Sequence, residues 1–222
     1  MNSGPSIFLA AFLGLAASWG AFILAPELQI GGKQPTAALI SGEIYPAMRS
    51  GLARQGEQVY RANGCYYCHS QQVQARGVGS DVERGWGGRP GRVQSIDNDY
   101  LYDAPVMIGN QRVGPDLANI GIRQTNDTAL YIHLYNPQLT MPKSVMPPYR
   151  FLFEKRKLAF GTKPSSEALP VGAEEGYEVV PTEKAKALVT YLASLHSEAI
   201  LFETPPLPKP KTNSVAMKGA AK

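Results

Sequence analysis

Residues 64–69 read Gly64-Cys65-Tyr66-Tyr67-Cys68-His69. Both cysteines of the chain stand here, three positions apart, with one of its three histidines directly after the second. The spacing has a chemical reason. A haem carries two vinyl groups on neighbouring pyrroles, and two thiols one turn apart can each add to one vinyl as a thioether. The imidazole that follows then faces the iron, which is the c-type attachment pattern. A closed zinc site needs four ligands, and only Cys65, Cys68, His69 and some distant residue are on offer. A redox dithiol wants a preceding strand and a following helix in a βαβ setting, whereas here a helix precedes and glutamines follow. The expected reading is one covalent haem c on Cys65 and Cys68, with His69 as an iron ligand.

Working outward, GLARQGEQVYRANG (51–64) places Leu52, Gly56, Val59 and Tyr60 at helical spacing, and Asn63-Gly64 stops the helix. The stretch from Val73 to Gly114 is rich in Gly, Arg and Asp and has no steady period. Its arginines, Arg76, Arg84, Arg89, Arg92 and Arg112, are candidates for haem propionates or an acidic partner, or are plain solvated charges. In Val113-Gly114-Pro115-Asp116-Leu117 the Pro115 carbonyl is expected to accept the Nδ1 proton of His69 and so orient it. Thr125 or Asn126 can cap a short helix, TNDTALYIHLY, that Pro137 ends. Residues 137–181 read as loops. Pro181-Thr182-Glu183 opens a last helix with Ala187, Leu188, Tyr191, Leu192 and Leu195 on one face.

The second axial ligand has five candidates: Met107, Met141, Met146, His133 and His196. Met141-Pro142 and Met146-Pro147 both hold a methionine extended before a proline, and Met146 is favoured. Met107 precedes the Gly114-Pro115 turn on the wrong side. His133 lies inside a short helix, and His196 falls at the end of the last one. A Met/His pair raises the reduction potential relative to two histidines.

The N-terminus is a different element. PSIFLAAFLGLAASWGAFILAP (5–26) carries no charge, and Glu27 is the first charged residue. About 20 helical residues cross a hydrocarbon core of roughly 30 Å. A cleaved signal would want a basic start and a shorter apolar run. The expected organisation is a transmembrane anchor at 1–26, a linker at 27–50, a haem domain at 51–202 and a disordered Pro/Lys tail at 203–222. The chain of 222 residues holds 22 glycines and 18 prolines, nearly a fifth of the total against a usual share of roughly 12%. Such a composition gives small helices wrapped by long loops, a mainly α fold that needs a buried macrocycle to complete its core. The net charge of +4 is mild, and no nucleic-acid-binding signature accompanies it. No nucleophile–base pair stands near the motif, so the chain is read as carrying electrons and not as breaking substrate bonds.

The helix before Cys65, the Gly114-Pro115 turn, the Met-Pro loop and the final helix resemble, in that order, a class I cytochrome c domain. In that fold the first and last helices cross, which would set Gly56 and Tyr60 against Tyr191 and Leu192. GEQVYRANGCYYCHSQQVQ, DVERGW, GNQRVGPDLANIGIR, LYNP and KSVMPPYRFL, behind an uncharged span, together resemble the membrane-anchored monohaem subunit II (CcoO/FixO type) of cbb3-type cytochrome c oxidases, from the anchor to about Leu152. The resemblance implies haem on Cys65 and Cys68, iron ligation by His69 and Met146, and electron delivery toward a multi-span haem–copper subunit that reduces oxygen. It also implies another cytochrome c as donor, and a haem domain on the periplasmic side of a bacterial inner membrane. The monohaem subunit of a nitric oxide reductase and a free-standing anchored cytochrome are the alternatives.

Overall fold

The helix that ends at the cysteine motif is fixed by a close crossing. In the computed structural model, which describes residues 3–87, 94–109, 111–172, 174–197 and 199–202, helix α2 (Gly51–Ala62) packs on helix α6 (Glu183–Ala193). The crossing works because Gly56 has no side chain. A Cβ there would stand 1.9 Å from the Ala187 carbonyl oxygen and 2.6 Å from Tyr191 Cβ. One turn on, the Tyr60 and Tyr191 rings meet at 5.4 Å between centroids, tilted by 58°. The buried face of α2 is Ala53, Gly56 and Tyr60. Leu52, expected on that face, is 42% exposed. The smaller Ala53 takes the inner position, because two helices this close leave no room for a leucine. On α6 the expected residues Ala187, Leu188, Tyr191 and Leu192 are buried, as is Leu195 just past its end.

Caps define the other helices (α3, Ile120–Arg123; α4, Asp127–Tyr135; α5, Pro137–Thr140). The Asn126 side chain accepts from the Ala129 amide at the start of α4, and Asn136 does the same for Gln138 at the start of α5. At α6 the Thr182 hydroxyl accepts from the Ala185 amide and itself donates to the Leu152 carbonyl (2.8 Å).

Residues 137–181, expected as loops, contain an antiparallel ribbon. Strand β3 (Phe153–Lys157) pairs with β4 (Tyr177–Pro181), Phe153 opposite Pro181 and Lys155 opposite Val179; the pair is numbered after a smaller one near the N-terminus, β1 (Thr36–Ala37) with β2 (Ile44–Tyr45). The pattern of β3, FEKRK, conceals it. Only Phe153 turns inward, edge-on to Tyr131 and Tyr135, and the next four residues face water. In β4 Val179 and Val180 are buried, and the Leu169 amide donates to the Val179 carbonyl (2.8 Å). Among the described residues the fold stays mainly α, with two small sheets.

Helix α1 runs from Gly4 to Gly31, 28 residues or about 42 Å, and none of its residues is buried. It is long and apolar enough to cross a bilayer. The helix continues five residues past Pro26, where the linker was expected to begin. A proline ring crowds the carbonyl four residues back and lacks an N–H. The backbone accommodates it by widening to π-type hydrogen bonding over Gly20–Leu24 and again over Glu27–Gly31. The 203–222 tail, Arg89 and Arg92 lie outside the described residues.

Gly56→Ala is expected to destabilise the domain by about 2–3 kcal/mol, since the neighbour it meets is backbone and cannot step aside. Urea unfolding followed by circular dichroism measures it; a loss under 0.5 kcal/mol would mean that the two helices slide freely past each other.

Candidate functional site

Gly64, in the left-handed region at φ 67°, turns the chain out of α2 into a single 3-10 turn, Cys65–Tyr67. The amides of Cys68 and His69 both donate to the Cys65 carbonyl (3.2 and 3.0 Å). The two sulfurs therefore sit on one turn. Both are free thiols, Cys65 half-buried and Cys68 exposed. Burial pushes the Cys65 thiol up to about 11, a shift that the Tyr149 hydroxyl, hydrogen-bonded to it, partly offsets.

The His69 ring is held by the Gly114-Pro115 turn. Its Nδ1 lies 2.8 Å from the Pro115 carbonyl oxygen. A carbonyl can only accept, so Nδ1 carries the proton and Nε2 of the neutral ring keeps its lone pair. The Gly114 amide donates to the Cys68 carbonyl (2.8 Å), which brings the turn against the motif. A Cβ on Gly114 would stand 2.3 Å from His69 Cε1, so only glycine lets the imidazole lie there. Burial holds the His69 pKa below its ordinary value, against the opposing pull of the Pro115 carbonyl and Asp116.

Behind this turn is a polar cradle that the sequence reading passed over. The fully buried Asp116 carboxylate accepts from the Ser70 hydroxyl (2.6 Å), the Gln72 amide (2.7 Å) and the Ala118 amide (2.9 Å). Burial raises its pKa, and those three donors oppose the rise. The Arg123 guanidinium binds the Asp116 backbone carbonyl. An aspartate directly after Gly-Pro is an Asx-turn signal, and the Ala118 amide, two residues on, answers it. Gln71 donates to the Tyr191 hydroxyl (2.9 Å), tying the segment after His69 to α6.

The five axial candidates separate. Met146 is half-buried and packs against the same core as Cys65, Tyr66 and Tyr149. The Gln138 amide holds its loop by donating to the carbonyls of Ser144 (3.0 Å) and Met146 (3.3 Å). Met141 is 60% exposed, and Met107 is buried in the core. His133 meets the Thr140 hydroxyl at 2.7 Å, and His196 is exposed. Burial, then the charge of nearby His69, hold the His133 pKa down. Of the arginines, Arg112 binds Asp81, Arg76 lies 3.6 Å from Glu83, and Arg84 stacks on Trp86.

Two free thiols on one turn, a lone-pair imidazole nitrogen and a half-buried thioether are a donor set suited to a covalent haem. Among the described residues no group of three or more His, Cys, Asp or Glu side chains converges as a metal-ion site does. A cavity of about 610 Å³ lies elsewhere, between residues 38–50 and the end of α6, and touches none of Cys65, Cys68, His69 or Met146.

Residues 5–187 match the family model of the cytochrome c oxidase mono-haem subunit, FixO. The chain belongs to that family: it is a haem-bearing oxidase subunit, and α1 is its membrane anchor. The match passes Leu152, where the sequence resemblance stopped, and takes in the β3–β4 ribbon. Comparison with individually curated proteins gives no match.

Asp116→Ala is expected to cost about 3 kcal/mol by leaving three buried donors unanswered, and Ser70→Ala only about 1 kcal/mol. Paired urea titrations check the ratio; equal losses would remove the carboxylate from its central place.

Proposed function

We propose that this FixO-family chain is the single-haem electron carrier of a cbb3-type oxidase. It takes electrons from another cytochrome c and passes them to the multi-span haem–copper subunit that reduces oxygen. The anchor, 1–26 and its helical extension, holds the chain in a bacterial inner membrane, with the haem domain of residues 51–202 on the periplasmic side. The observation that carries this reading is the 2.8 Å contact of His69 Nδ1 with the Pro115 carbonyl, which commits that nitrogen to donating and leaves Nε2 as a ligand nitrogen, together with the two free thiols.

The roles follow from the residues. Cys65 and Cys68 would hold the haem covalently, and His69 and Met146 would ligate its iron. When bound, the haem supplies a one-electron ferrous–ferric couple. Pro115 fixes the imidazole's orientation and raises its basicity. Gly114 leaves the ring its space. Met146, as a thioether, sets a higher potential than a second histidine would, as suits delivery to an oxygen-reducing partner. Gln138 keeps the methionine loop from swinging away, through its two carbonyl contacts. With His69 and Met146 both given to holding the haem, the domain would exchange electrons without binding a substrate.

Met146→Ala is expected to abolish the near-infrared sulfur–iron band while the haem stays attached through denaturation, and Met141→Ala to leave the band intact. The opposite result would move the ligand to Met141. Cys65→Ala/Cys68→Ala is expected to give no haem stain on a denaturing gel. Purification of the full chain from membranes with a multi-span partner, with an oxygen-consumption assay, tests the placement in an oxidase.

A further inference from the structure

The segment between the anchor and α2 has the composition of a loose tether, with Gly31, Gly32, Pro35 and Pro46. Its contacts are those of something else. Three aspartates stand in the stretch DNDYLYD (97–103), and a residue of the segment engages each of them in chain order. Lys33 Nζ lies 2.8 Å from Asp97 Oδ2. The Tyr45 hydroxyl donates to Asp99 Oδ1 (2.8 Å). Arg49 pairs with Asp103. Between these clasps the Leu39 amide donates to the Ile200 carbonyl (2.8 Å), and Ala38 is buried.

Arg49 is the busiest of the three. It also lies 3.6 Å from Glu57 on α2, and its guanidinium sits 5.4 Å from the Tyr191 ring centre on α6. One side chain thus joins the segment to both crossing helices. The Asp103 side chain is only 6% exposed, so salt screens this pair far less than it screens Lys33–Asp97. Packing does not do this work alone: the 610 Å³ cavity opens behind the segment, lined by Tyr45, Arg49, Tyr100 and Ser197 among others. Point-by-point polar clasps are what keep the segment in place.

We propose that Lys33, Tyr45 and Arg49 are positioning residues for electron delivery. They clasp residues 33–49 to the haem domain as a docked strap, and so fix the height and tilt of the Cys65–His69 site over the end of α1. The inference rests on the carrier reading above, because electron transfer falls steeply with distance and a freely swinging domain would present its haem edge at many distances.

The test uses the full-length haem protein, in lipid nanodiscs for hydrogen exchange and in its purified oxidase complex for electron transfer. In the wild type, the Leu39 amide is expected to exchange at least tenfold more slowly than in an unstructured peptide. In Lys33→Met/Tyr45→Phe, which leaves Arg49 and the helix crossing intact, that protection is expected to fall about tenfold. Electron transfer into the complex is expected to slow several-fold, with absorption spectrum and reduction potential unchanged; adding Arg49→Gln deepens both effects. Wild-type exchange at the unstructured rate overturns the proposal. So do variants that leave both exchange and transfer rate unchanged, and variants that slow transfer only by shifting the potential. A colourless wild-type protein would sink the carrier reading instead, and the Leu39 exchange would still report whether the strap is docked.

Discussion

The approach of α2 to α6 at Gly56 is the constraint on which the rest is built. It sets the end of α2, and with it Gly64 and the turn that carries Cys65, Cys68 and His69. It also places Tyr191 where Gln71 can reach it. The segment after the histidine is therefore anchored to the opposite helix, and the Gly114-Pro115 turn closes onto the imidazole from the other side. Two backbone approaches that tolerate only glycine, at Gly56 and Gly114, frame the site.

Much of this was legible in the residues. The helix starts at Asn126 and Thr182 and the mainly α architecture with its apolar N-terminal helix follow from periodicity and capping chemistry, whereas the crossing of Gly56 and Tyr60 with Tyr191 was implied by the resemblance to a class I cytochrome c domain. The β3–β4 ribbon was not legible. Four of the five residues in β3 are charged and face water, so no alternation marks the strand, and its partner lies some twenty residues downstream, behind Pro164 and Pro170. The docked strap was hidden for a related reason. Its three clasps are made by single polar side chains across more than fifty residues of sequence, a separation at which pattern carries no signal. The Asp116 cradle stood in between: the Asx turn was readable, but its link to Ser70 and Gln72 needed the fold.

The polar interior is economical. Asp116, Gln71 and Asn119 each satisfy groups from distant segments; Asn119 alone donates to the Trp86 carbonyl and accepts from the Ser197 amide. In a chain so rich in Gly and Pro, these few side chains supply the backbone partners that a larger sheet or bundle would have provided. They concentrate around the Gly-Pro turn, so loop order and imidazole orientation rise and fall together.

The charges of β3 also have a social consequence. An unpaired strand edge is a template on which another chain can add itself, and a row of Glu154, Lys155, Arg156 and Lys157 facing water denies that template to neighbours. A protein confined to a membrane plane meets its own copies at high local density. The short ribbon is thus guarded against edge-to-edge polymerisation where the risk is greatest.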